Sequence, residues 1–189
     1  LEFKKDIENY FNSQDGNEPV TNSIIMYDKP IIMNVKGEKV GVILLDSPGL
    51  FDTYTSQSLT ISIFGIISLL SSYVIYNIDK RIQEDHLQNI ALFSEYANMA
   101  QEENKLLQDI NILIRDFQGI DFKTTTEEEI KRESNAYLHK ILSNKNDKQL
   151  DRTRESIKNI YTNISCSYLP HPASDFTNPT NNTIPPPTH

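Results

Sequence analysis

The stretch VGVILLDSPGLFD, residues 40–52, decides how this chain is read: five of its first six residues are Val, Ile or Leu, and the run stops on Asp46-Ser47-Pro48-Gly49. A short, continuous apolar run bounded by turn residues is the pattern of a strand buried in a sheet. Pro48 cannot donate to a ladder and Gly49 tolerates backbone conformations closed to other residues, so the strand is expected to end there. In open α/β sheets ligands bind beyond the carboxyl ends of the strands, which puts Asp46 and Gly49 where chemistry is expected.

Working outward, residues 23–33 (SIIMYDKPIIM) and 40–45 read as two strands joined through a hairpin turn around residues 34–38. A helix over 56–70 follows, then a strand over 72–77. A long helix over 82–104 carries Ile82, Leu87, Ile90, Phe93, Ala97 and Ala100 on one face, and DINILIR, 109–115, is the next strand. Thr124 to Thr126 can cap a helix whose first turn holds Glu127, Glu128 and Glu129 and whose apolar side is Ile130, Tyr137 and Ile141. A last helix over 147–162, with Leu150, Ile157 and Ile160 or Tyr161 inward, leads into a strand at 164–169. Alternating helices and uncharged strands predict an α/β fold: a mainly parallel sheet with helices on both faces and the hairpin strand antiparallel at one edge.

Composition fits one such domain: 189 residues, 38% of them hydrophobic, can bury a core. The formal net charge of −8 argues against nucleic acid as a partner, because phosphate-backbone binding runs on clustered Lys and Arg. The single cysteine, Cys166, has no partner for an internal disulfide, and no Cys/His spacing matches a zinc site. A reducing cytosolic environment is therefore expected, and the sequons at Asn163 and Asn181 read as chance matches. The chain opens on Leu1 with scattered charges and not on a secretory signal. Residues 53–78 carry no charge and are long enough to span a membrane. Their serines, with Leu59, Ile63, Ile66, Ile67 and Leu70 at helical spacing, predict instead a buried helix followed by a buried strand.

Three places could carry chemistry. Asp46 with Gly49 forms a DxxG, in which the acid can organise a Mg²⁺ shell and the glycine lets a backbone N–H approach a γ-phosphate. Arg115-Asp116 ends the strand NILIR: the carboxylate can accept both donors of a guanine edge while the guanidinium packs over the base. Thr21, in the polar stretch NEPVTNS, could lend its hydroxyl to Mg²⁺. Taken singly, each has a plainer reading, as a strand-ending turn, a surface ion pair and a loop threonine.

Four ordered blocks change that balance: Asp46 to Asp52 (DSPGLFD), IQEDHLQNIALFSEYA at 82–97, Arg115-Asp116, and YTNISCSYLPHPA at 161–173. Together they resemble the GTPase domain of the atlastins, in the dynamin-related group that includes the guanylate-binding proteins. The resemblance implies a Mg²⁺-dependent GTPase that dimerises on binding GTP and fuses endoplasmic reticulum membranes from their cytosolic side. It makes Thr21 the catalytic switch threonine on Mg²⁺, Asp46 the organiser of the Mg²⁺ shell, Gly49 a γ-phosphate contact, and Arg115 with Asp116 the guanine-reading pair. His171 and Pro172 lie near where the family closes over the base and receive no role.

On this reading residues 1–173 are a partial GTPase domain, running from the switch I region to the guanine-binding end, and 174–189 a disordered Pro/Asn/Thr-rich tail. The chain itself is expected to be soluble, with its membrane contact made by segments beyond it. No GxxxxGK(S/T) occurs in the 189 residues, so the phosphate-binding loop, the strand before it and the family's catalytic arginine are not in this sequence. The chain is a P-loop-type G-domain fragment without its P-loop strand, expected to be inactive alone. Pro48 stands where the atlastin pattern has Gln, removing one backbone N–H from the loop. Two alternatives remain open: a nucleotide-free interaction or dimerisation module, and a guanylate-binding-protein-type defence GTPase.

Overall fold

A computed structural model describes residues 23–49, 56–99, 107–143 and 148–171. Its element order is β1 (Ile25–Met26), β2 (Ile31–Val35), β3 (Glu38–Val42), β4 (Leu45–Asp46), α1 (Gln57–Leu70), β5 (Tyr73–Asp79), α2 (Glu84–Met99), β6 (Asp109–Arg115), α3 (Glu127–Leu142), α4 (Lys148–Ile160) and β7 (Ile164–Tyr168). The expected alternation is present.

The centre is a parallel three-stranded sheet in the order β5-β6-β7, with Asp79 opposite Arg115 and Ile114 opposite Tyr168. Strand side chains alternate between faces, and the two faces differ. Val74, Tyr76, Ile78, Ile110, Ile112, Ile114, Cys166 and Tyr168 all point into one core, which they share with Phe64 of α1, Leu87, Ile90 and Phe93 of α2, Leu138 and Leu142 of α3, and Ile157 and Ile160 of α4. The four described helices therefore lie on one face. On the other face Tyr73 and Ile75 are exposed, beside a polar ladder in which Asn111 Nδ2 donates to Ser165 Oγ and Ser167 Oγ. The helices expected over this second face are not among the described residues, and β5 accordingly alternates where a fully buried strand was expected.

The outer edge of β7 is covered by α3. Asn135 Oδ1 accepts from the Cys166 N–H at 3.1 Å, and Ser134 Oγ donates to the Cys166 carbonyl at 2.7 Å. Two side chains thus satisfy backbone groups that would otherwise offer an open edge. At the start of α3, Thr126 and Glu129 form a reciprocal capping box, which narrows the expected capping threonines to one.

The opening strand needs correction. VGVILL is not one buried strand: it is divided between β3, which pairs antiparallel with β2, and β4, which pairs antiparallel with β1. Residues 23–33 are divided in the same way around Asp28-Lys29-Pro30, where proline removes a ladder donor. The hairpin turn is tighter than residues 34–38: Val35 faces Glu38 across the two residues Lys36 and Gly37, both at positive φ (52° and 89°), the requirement of a type I′ turn. Ile32 and Ile43 are 64% and 58% exposed, because no described element packs on the hairpin, and no ladder joins it to the parallel sheet among the described residues.

Helix α1 also differs in detail. Its buried side is Thr60, Phe64, Gly65 and Ser68, while Leu59, Ile66 and Leu70 face out. Phe64 sets this rotation, since its ring meets both Tyr76 and Phe93. No helix among the described residues is long and apolar enough to cross a membrane.

Candidate functional site

The carboxyl ends of β5, β6 and β7 are brought level by the parallel register, and three backbone bonds lock them together. The Lys80 N–H donates to the Arg115 carbonyl at 2.9 Å, the Leu169 N–H to Ile114 at 2.8 Å, and the Phe117 N–H to Leu169 at 3.0 Å. Both residues that leave this row, Lys80 and Asp116, adopt the left-handed conformation, at φ 58° and 57°. A non-glycine residue held there costs free energy unless its surroundings impose it, and such positions gather at functional sites. Asp116 is half-buried and Arg115 exposed.

Directly after Asp116, Phe117 stacks on Tyr168 with ring centres 3.8 Å apart and planes 9° from parallel, and Tyr137 of α3 closes on the same ring at 6.2 Å. A Cβ on Gly119 would lie 2.7 Å from Phe117 Cζ, so only glycine there leaves the stack undisturbed. Burial pushes the Tyr168 hydroxyl above its ordinary range, helped by Cys166, Tyr137 and Glu133. The wall beside Arg115-Asp116 is aromatic and uncharged.

Asp46 ends β4, opposite Ile25, with Ser47 half-buried and Pro48 buried. Gly49 is exposed, with no atom within 4 Å of where a Cβ would stand. The Asp46 loop and Arg115-Asp116 belong to separate ladders. Thr21 and Pro172 lie outside the described residues, as does the tail from residue 174.

Among the described residues no group of three or more His, Cys, Asp or Glu converges on one point. Mg²⁺ takes one or two carboxylates and draws its other ligands from phosphate oxygens and water. Asp46 is a hard oxygen donor of the required kind.

The family follows from the sequence over these elements. Residues 5–185 match the family model described as guanylate-binding protein, N-terminal domain. The chain belongs to this family. Rat atlastin-1 is 33% identical over 168 residues, covering 86% of this chain and 29% of its own length. Atlastin-2 of Xenopus laevis is 34% identical over 168 residues with the same coverages, and human atlastin-2 is 34% identical over 157 residues, 81% of this chain and 25% of its own. The chain is thus an atlastin-like G domain of a GTPase family, spanning less than a third of the curated relatives it matches.

Several members of the site escaped the sequence. Lys80 and Phe117 lie outside the four ordered blocks, while Glu84 and Tyr168 lie inside two of them without being singled out. Arg154 did leave a signal: it stands in the apolar series Leu150, Arg154, Ile157, Tyr161 at helical spacing, where a charge inside an inward stripe needs a buried partner.

Proposed function

We propose that this chain is the guanine-reading part of an atlastin-like large GTPase that binds GTP with Mg²⁺ and hydrolyses it in the context of the whole protein. The observation that carries the reading is Arg115-Asp116 at the locked carboxyl end of β6, with Asp116 held at φ 57° beside the Phe117–Tyr168 stack. A carboxylate fixed there can accept the two N–H donors of a guanine edge, and Arg115 can lie over the ring. Adenine lacks that pair of donors.

In this assignment Asp46 organises the Mg²⁺ shell, Gly49 donates its backbone N–H to the γ-phosphate, and Thr21 gives its hydroxyl to Mg²⁺ and places the attacking water. On the resemblance to the atlastins, the process served is GTP-driven homodimerisation and endoplasmic reticulum membrane fusion and network organisation. A phosphate-binding loop would come from sequence outside these 189 residues.

Calorimetry on the whole protein in Mg²⁺ tests the guanine assignment. GTP is expected to bind at least about 100-fold more tightly than ATP, the worth of two hydrogen bonds to a charged acceptor, and Asp116→Ala should abolish the difference. Equal affinities in the wild type would refute it. The absence of GxxxxGK(S/T) favours one other reading, a nucleotide-free interaction module, and binding of neither nucleotide would select it.

A further inference from the structure

Arg154 is 4% exposed, on α4, far along the chain from the strand ends. Its Nε donates to the carbonyl of Ile141 in the last turn of α3 at 2.9 Å, and its Nη2 donates to Glu84 Oε1 in the first turn of α2. One guanidinium therefore ties together three helices. A buried arginine is retained at high cost unless its hydrogen bonds are made, and here they are directed at Glu84 in particular.

Glu84 opens α2 immediately after residues 80–83, the connection from β5. That connection is anchored at its other end by the Lys80 N–H on the Arg115 carbonyl, one residue before Asp116. Midway, the Ile82 backbone N–H faces the Tyr137 hydroxyl oxygen as its donor, and the Tyr137 ring leans on Tyr168. A continuous path thus runs from Arg154 through Glu84 and residues 80–83 to the Arg115 carbonyl. Beside it lies a cavity of about 300 Å³ lined by Arg81, Gln83, Glu84, Leu87, Ile141 and Arg154. Ile82 is buried in the core midway along the connection, and on the cavity side the end of the connection is held by the Arg154–Glu84 pair.

We infer that Arg154, through Glu84, is a positioning residue for the guanine-reading pair Arg115-Asp116. It holds the connection over residues 80–83 so that the Lys80 N–H stays on the Arg115 carbonyl and the left-handed turn at Asp116 presents its carboxylate in one orientation. The inference rests on the guanine assignment above.

The experiment measures GTP and ATP affinities and the melting temperature of the whole protein as wild type, Arg154→Met, Glu84→Gln and Asp116→Ala. Glu84→Gln keeps shape and removes the charge that directs Arg154. It is expected to cut the GTP-over-ATP preference about fivefold or more, with melting lowered by only a few degrees. Arg154→Met should cut the preference further. If both variants keep the wild-type preference while melting lower, Arg154 only braces the helices and the inference is overturned. Should Arg154→Met not fold, Glu84→Gln decides alone. A wild type without preference, or an Asp116→Ala that retains it, defeats the guanine assignment instead.

Discussion

The parallel half of the molecule, β5 to β7 with four helices, and the amino-terminal half, two short antiparallel ladders over residues 23–49, are similarly apolar in sequence and differently packed. In the first, Ile114 is 0% exposed between neighbouring strands and beneath helices. In the second, Ile32, Met33 and Ile43 sit in or beside complete hydrogen-bond ladders and stay exposed. Ladder bonds satisfy the backbone, but an apolar face is stabilised only when another layer removes it from water. The candidate site divides along the same line: Arg115-Asp116 rests on the packed parallel sheet, whereas Asp46 and Gly49 rest on the two-residue β1–β4 ladder, where Tyr27 and Pro48 are buried.

The comparison can be broken most directly by paired truncation. Ile114→Ala is expected to cost about 4 kcal/mol in urea unfolding, because it opens a cavity in a close-packed interior, whereas Ile43→Ala should cost under about 0.5 kcal/mol. Equal losses would show that residues 23–49 are packed after all.

A smaller effect should appear at high pH. Burial pushes the Cys166 thiol up to about 12, and burial, opposed by a hydrogen bond with Ser94, pushes the Tyr161 hydroxyl up to about 12. Both folded values lie above the unfolded ones, so the neutral forms favour the fold. Their contribution is complete below pH about 8 and disappears as pH rises from there toward 12, about 3 kcal/mol being lost near pH 10.5. A melting temperature flat across that range would contradict the burial of Cys166.

Smallest is the edge cover. Asn135→Ala leaves the Cys166 N–H without its acceptor and should cost about 1.5 kcal/mol, with faster amide exchange at Cys166 than at Ile112 of the central strand. An unchanged exchange rate would mean that α3 does not protect this edge.

Much of the fold was legible. Apolar runs bounded by polar turns located β5, β6 and β7, the 3.6-residue spacing of Leu87, Ile90 and Phe93 gave the inward side of α2, and Thr124 to Thr126 ahead of Glu127 to Glu129 marked a helix start. What misled was the equation of apolar with buried. Leu59, Ile66 and Leu70 have helical spacing, but Phe64 lodged between Tyr76 and Phe93 turns them outward, and VGVILL reads as buried although its neighbours leave it open.

By itself the sequence determined the order of elements, a hairpin turn within residues 34–38, the placement of Arg115-Asp116 at a strand end, and the family. These follow from local conformational preference and from motif residues close together in the chain. Only the tertiary structure decided which apolar faces are covered, how α3 shields β7, and that Arg154 reaches Glu84 and through it the strand ends. Burial and long-range pairing depend on what stands opposite a residue in space, which spacing along the chain does not encode.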